Sequence, residues 1–394
     1  MYSESLMRLG KVRSEIRELF EYGNKRKAEI GAENVFDFSI GNPSVPAPKA
    51  VDDTIKDLVD NFDSVALHGY TSAQGDAAVR QTIADYINER FDAGVDANKI
   101  YMTCGAAASL TIVLNAIMLP GEECIAITPF FPEYGVFLER TGAKLVPVKS
   151  DEKTFQIDMN NLEEAINEKT KAIIINSPNN PSGVVYSTET IEKMCDLLRR
   201  KEKEYGHPIF VITDEPYREL VYDDIEVPYM INFYDNTFVC YSYSKSLSMP
   251  GDRIGYIVVS HKMIDCDDAY ATVCGAGRAL GYVCAPSMFQ RVIAKCIDKT
   301  SDISIYKKNR DLLYNSLTEM GFECVYPDGA FYLFMKAKEE DSHAFCEKAK
   351  EQELLLVPAA SFGTPGYVRI SYCVQTEQIE NALPAFKRLA DLYK

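Results

Sequence analysis

In the run YSYSKSLSMPGDRIGY, Lys245 has Ser242 three residues before it and Arg253 eight residues after it. A hydroxyl and a guanidinium fork both bind oxyanions, and an amine at the end of an apolar run can lose its proton and attack an aldehyde. Asp214 directly follows the apolar run PIFVIT, with Tyr217 three positions on. A carboxylate at the end of a buried strand needs a donor or cationic partner. Asn180 lies in PNNPSG, which stops the run KAIIINS with two prolines and a glycine. After IYMTC, small residues from Gly105 to Ser109 leave the amides of Ala106 and Ala107 open to a phosphate at a helix N-terminus. Each feature has a plainer reading: a surface lysine, a helix cap at Asp214, turn asparagines, an Arg253–Asp252 ion pair, and close helix-to-strand packing. Together they supply an amine, a carboxylate, a tyrosine, an asparagine, an arginine and a helix N-terminus. That set matches a phosphorylated aldehyde with a ring nitrogen, pyridoxal 5′-phosphate.

These residues can meet only if the elements carrying them end at one rim. Seven short apolar runs between about residues 100 and 260 read as buried strands: IYMTCG, ECIAIT, KLVPV, KAIIINS, PIFVITDE, TFVCYSYS and RIGYIVVS. Helical stretches at Ala107 to Leu119 and Thr188 to Glu204 fit between them, which predicts an open, mainly parallel α/β sheet with its ligand at the carboxyl ends of the strands. Ser242, Ser244 and Lys245 are expected at the end of TFVCYSYS, and Arg253 at the start of the last strand. Leu6, Leu9, Val12, Ile16 and Leu19/Phe20 predict an amphipathic N-terminal helix. Asn42, Pro43, Pro46 and Pro48 then mark the passage to the next lobe. Helical patterns at Ile303 to Met320 and Glu377 to Tyr393 place a smaller α+β lobe at the C-terminal end.

The chain has 394 residues, 46% hydrophobic and 25% charged, enough for two or three lobes with sizeable cores. Its net charge of −16 argues against nucleic acid or an anionic membrane as partner. No apolar run reaches membrane-spanning length. The eleven cysteines form no C-x-x-C pair and the start MYSESLMRLGKVR has no signal-peptide core, so a reducing cytoplasm is expected. His68, His207, His261 and His343 are scattered without ligand spacing, and no metal is expected.

On Ser-x-x-Lys with Pro-Gly-x-Arg-x-Gly (Ser242 to Gly255), Asn-Pro-Ser-Gly (Asn180 to Gly183), Asp-x-x-Tyr (Asp214, Tyr217) and the Gly-Ala-Ala turn, the chain resembles the class I/II aminotransferases of pyridoxal-phosphate fold type I, over nearly its whole length. The resemblance implies a large domain with a mainly parallel seven-stranded sheet covered by helices, plus a smaller α+β domain formed by the two chain ends. The boundaries it implies are an arm and part of the small domain at 1–45, the cofactor-binding domain at 46–300, and the remaining small domain at 301–394. Lys245 then carries the cofactor and moves the substrate's Cα proton, Asp214 pairs with the ring nitrogen, and Asn180 and Tyr217 bond the phenolic oxygen. Ser242, Arg253, Ala106 and Ala107 hold the phosphate, and Phe131 stacks on the ring, with Phe130 left to the core. Tyr70 crosses to the phosphate of a neighbouring subunit, implying a homodimer with shared sites, although loop packing explains it too. Arg369 grips the substrate α-carboxylate beside Gly41, which is also explained as a turn glycine.

The implied activity is transfer of an amino group between an L-amino acid and a 2-oxo acid, with aspartate and 2-oxoglutarate as the default pair. The alternative is a carbon–sulfur β-lyase using the same lysine. Arg278 is the one nearby candidate for a distal carboxylate, and a surface or interface arginine is its plainer reading. A nicotinamide dehydrogenase does not fit, because GAGRAL, from Gly275, lacks the third small residue at the right spacing and follows no first strand. A DNA-binding regulator has no segment of chain to supply its binding module.

Overall fold

The computed structural model describes residues 2–11 and 14–394. Seven strands form its main sheet, in the spatial order Ile100–Thr103, Gly255–Val259, Thr237–Ser242, Phe210–Asp214, Thr170–Asn176, Glu123–Thr128, Lys144–Lys149. The strand Gly255–Val259 runs antiparallel to both neighbours and the other pairings are parallel. Period-2 alternation sends successive side chains to opposite faces, and both faces are apolar here. Ala172, Ile174, Ile212 and Cys240 enter one core beneath the helices Ala106–Ile117 and Cys266–Ala279. Ile173, Ile175 and Val211 enter the opposite core with Ile191, Met194 and Leu198 of the helix Thr188–Tyr205. Val239 and Val258 extend that second face under Val79 and Ile83 of the helix Ala77–Phe91.

A separate four-stranded antiparallel sheet has the order Val357–Pro358, Tyr367–Ser371, Tyr332–Lys336, Cys324–Val325. It is covered by the helices Ser304–Glu319, Ser342–Lys350 and Thr376–Asp391. The N-terminal segment joins this assembly: Phe36–Asp37 pairs in parallel with Leu354–Leu355, and Phe38 and Val45 are buried in its core.

Four expectations are corrected. The N-terminal stretch carries two helices, Glu4–Lys11 and Glu15–Ile30, rather than one. Only the second packs down, through Ile16 and Leu19, and the expected position Val12 lies outside the described residues. The strand Lys144–Lys149 is not buried, because it forms the sheet edge, where Pro147 costs no central hydrogen bond. The strand after Asn236 stops at Ser242, and Lys245 sits on the helical turn Tyr243–Ser246 beyond it. Arg253 precedes the last strand, with φ +55°, rather than beginning it.

Candidate active site

A cavity of about 340 Å³ opens at the carboxyl ends of the parallel strands. Lys245, Asp214, Tyr217, Asn180, Ser242, Arg253, Ala106, Ala107, Phe131, Gly41 and Arg369 all line it. The sequence-predicted site residues therefore converge on one space, with Tyr70 the exception. Tyr70 is 99% exposed and does not line the cavity of its own chain. Arg278, in the last turn of the helix Cys266–Ala279, is exposed and also outside it.

The floor is set by strand ends. Asp214 closes the central strand Phe210–Asp214 and is 5% exposed. Its Oδ2 accepts a hydrogen bond from the Tyr134 hydroxyl at 2.7 Å, while its buried Oδ1 has no partner among the described residues. Burial pushes the carboxyl up to about 7, Tyr134 works against that, and Glu215 adds to it. An opposite charge at Oδ1 would restore ionisation. Next to it, Asn176 donates to the Asp214 carbonyl at 2.8 Å and accepts from the Asn180 amide at 2.7 Å, which locks the turn carrying Asn180 to the sheet. The Asn180 Oδ1 then accepts from Arg369 Nη1 at 3.2 Å. Arg369 is 2% exposed, gives a second hydrogen bond to the Ser39 carbonyl at 2.5 Å, and leaves its buried Nε without a partner among the described residues.

Lys245 Nζ donates to the Gly41 carbonyl at 2.6 Å. Burial lowers its pKa to about 8; Cys373 opposes this, and Arg369 and Arg253 reinforce it. Ser242 caps the turn bearing Lys245, its Oγ accepting from the Ser244 amide at 3.2 Å and lying 2.7 Å from the Ser244 Oγ. The helix Ala106–Ile117 starts at Gly105 with no side-chain cap, so its first amides face the cavity beside Ala106 and Ala107. Gly105 has φ +92°, and a Cβ there would lie 2.9 Å from Arg253 Nη2, so glycine lets that guanidinium reach the helix start. Arg253 Nη1 donates to the Pro250 carbonyl at 2.9 Å, which holds the fork at the cavity rim, and no Asp252 ion pair forms among the described residues. Phe131 meets Tyr134 edge-on at 5.9 Å, and Phe130 packs with the core beside it.

Several lining or supporting residues escape the sequence reading, Tyr134, Tyr332 and Ile16 among them. Tyr134 lies three residues after Phe131, a spacing that could have singled it out. Tyr332 and Ile16 reach the cavity through long-range packing, for which nothing local in the sequence speaks. Among the described residues, no group of three or more His, Cys, Asp or Glu could hold a metal ion, and no helix is long and apolar enough to cross a membrane.

A buried amine of lowered pKa, a buried half-partnered carboxylate and a buried arginine around an uncapped helix N-terminus define an enzyme site for a phosphorylated cofactor and a carboxylate substrate. Residues 33–386 match the family model Aminotransferase class I and II. The probable aspartate aminotransferase of Methanocaldococcus jannaschii is 30% identical over 389 residues, 95% of this chain and 96% of that one. The aspartate aminotransferase of Thermotoga maritima is 31% identical over 375 residues, 93% of this chain and 95% of that one. Among solved structures, an amino transferase from Eubacterium rectale is 59% identical with a TM-score of 0.98, covering 100% of this chain and 99% of that one. The chain belongs to the class I and II aminotransferases and is a pyridoxal-phosphate-dependent transaminase.

Proposed function

We propose that this aminotransferase moves the amino group of aspartate to 2-oxoglutarate, and that its sites are completed in a homodimer in the cytoplasm. The donor rests on the names of the relatives, aspartate aminotransferases of similar length, and 2-oxoglutarate is the acceptor that the family resemblance implies. The cytoplasmic reading rests on eleven free cysteines. The boundaries at 45 and 300 belong to the same proposal, supported by Phe38 and Val45 lying in the C-terminal core.

One observation carries the assignment of roles: Asp214, whose buried Oδ1 has no partner among the described residues, lines the same cavity as Lys245. A ring nitrogen bearing a proton satisfies that oxygen, and the carboxylate in turn keeps the proton in place. Lys245 would hold the cofactor's aldehyde carbon, Ser242, Arg253 and the Ala106 and Ala107 amides its phosphate, and Phe131 one face of its ring. When bound, pyridoxal phosphate supplies an electron sink for the charge left at the substrate's Cα. Asn180 and Tyr217 direct hydrogen bonds at its phenolic oxygen. Arg369 pairs with the substrate α-carboxylate next to Gly41, where its unpaired Nε finds an acceptor. Lys245, once released, would remove the Cα proton and deliver it to the cofactor's C4′, on the far side of the intervening nitrogen. Its pKa near 8 leaves a sizeable neutral fraction at neutral pH, as a proton shuttle requires.

The test is a visible spectrum of the purified protein with pyridoxal phosphate, followed by single amino acids. A yellow band that aspartate bleaches and 2-oxoglutarate restores is expected, and Lys245→Ala should lose both the band's lysine-linked form and transamination. Release of thiol and pyruvate from cystathionine without amino transfer would instead establish the lyase.

A further inference from the structure

Tyr332 opens the strand Tyr332–Lys336 and is buried against three residues to which separate tasks are assigned above. Its hydroxyl is 2.8 Å from the Tyr217 hydroxyl. Its ring carries the Arg369 guanidinium 4.7 Å from the centroid. That contact follows from register: Tyr332 faces Ser371 and Phe334 faces Arg369, so Tyr332 and Arg369 are diagonal neighbours on one side of the small sheet. A Cβ on Gly41 would run into the same hydroxyl, although the Gly41 backbone is not in the left-handed region. Glycine at 41 is thus required by the close approach of Tyr332, and the Gly41 carbonyl is the acceptor that holds Lys245.

Of two hydroxyls in contact, one donates and the other accepts. If Tyr217 spends its proton on a ligand, Tyr332 must be the donor of the pair. We propose that Tyr332 is a positioning residue that donates to the Tyr217 oxygen, aims the Tyr217 proton at the cofactor's phenolic oxygen, and sets the plane of the Arg369 fork. The proposal rests on the cofactor reading above. A hydrogen bond accepted by Tyr217 polarises its own O–H and strengthens what it donates onward. The Tyr217 hydrogen bond stabilises negative charge on the phenolic oxygen most when the neighbouring Lys245 nitrogen has lost its proton. It therefore lowers the pH at which the visible band titrates.

The test compares holoenzymes carrying Tyr332→Phe, Tyr217→Phe and both, by pH titration of the visible band and by steady-state kinetics. Tyr332→Phe is expected to raise the titration midpoint by roughly 0.3 to 1 pH unit and to lower kcat/KM by about three- to tenfold, the scale of one hydrogen bond. Tyr217→Phe should move the midpoint further in the same direction, and the double variant should match Tyr217→Phe alone, because the two hydroxyls act in series. If Tyr217→Phe moves the midpoint and Tyr332→Phe does not, Tyr332 only packs and the proposal fails by itself. If neither moves it, the role given to Tyr217 is wrong and the proposal falls with it. Should Tyr332→Phe not fold, Gly41→Ala pushes a methyl into the hydroxyl's position and is read the same way: an upward shift supports the proposal and an unmoved midpoint overturns it.

Discussion

At Asp214 and Lys245, burial moves two ionisations in opposite senses, and each gives a measurable consequence. Burial pushes the Asp214 carboxyl up to about 7 in the cofactor-free folded chain, against about 3.9 when unfolded. The folded state therefore binds the extra proton between about pH 4 and 7, and stability falls as pH rises through that window, by on the order of 4 kcal/mol at 1.36 kcal/mol per unit. Asp214→Asn removes this loss and keeps an oxygen for Tyr134. In cofactor-free protein, urea unfolding of this variant at pH 8 should come no earlier than in the parent and should depend less on pH. Transamination by the loaded variant should drop by at least about a hundredfold, because nothing retains the ring proton. Lys245 shifts the other way: with its pKa near 8, the rate at which cofactor-free protein takes up pyridoxal phosphate should be half-maximal near pH 8 and level off about one unit above it. Uptake still rising steeply near pH 10, as for an ordinary lysine, would contradict the burial argument. These two residues were legible because ionisable groups directly after apolar runs are conspicuous. Tyr134 was passed over despite its place three residues after Phe131, and Tyr332 was not legible, since a phenol at a strand start looks the same whether it packs or hydrogen-bonds.

The elements were legible where burial on both faces writes continuous apolar runs, as in KAIIIN and FVITD. They were misread where local pattern and packing diverge. Tyr241 and Tyr243 favour extended structure, yet Tyr243–Ser246 turns helical with Ser242 as its cap, which carries Lys245 to the cavity. Likewise KLVPV reads as core until its edge position is known. The antiparallel strand Gly255–Val259 shows what such packing demands. A Cβ on Gly255 would run into the Tyr241 carbonyl and stand 3.1 Å from the Gly105 Cα, where the strand passes beneath the helix start. Gly255→Ala should therefore cost about 1 to 3 kcal/mol in urea unfolding and weaken cofactor retention together, since the same shift displaces the Ala106 and Ala107 amides. A variant with lowered stability but unchanged cofactor affinity would separate the strand from the phosphate end of the site.

At the scale of the molecule, Tyr70 is the predicted site residue that its own chain leaves outside the cavity, almost fully exposed, with the apolar Phe62 and Val65 before it in sequence exposed as well. A tyrosine ring in water gains nothing there, whereas a second copy presenting Tyr70 to the phosphate end of this cavity would bury it and supply a hydroxyl. Shared sites of this kind make a prediction that a monomer cannot meet. Lys245→Ala should be inactive, and Tyr70→Ala should lose at least about tenfold in kcat/KM with weaker cofactor binding. In a mixed dimer, one cavity has Lys245 from the Tyr70→Ala parent and Tyr70 from the Lys245→Ala parent, and the other lacks both. Unfolding and refolding equal amounts of the two variants together makes about half the dimers mixed, each with one intact site of two. Transamination should then recover to about a quarter of the unmutated enzyme's level, while each variant refolded alone stays low. Recovery no greater than the average of the separate variants, or a single-chain mass by sedimentation, would mean that the cavity is complete within one chain and that Tyr70 has no part in it.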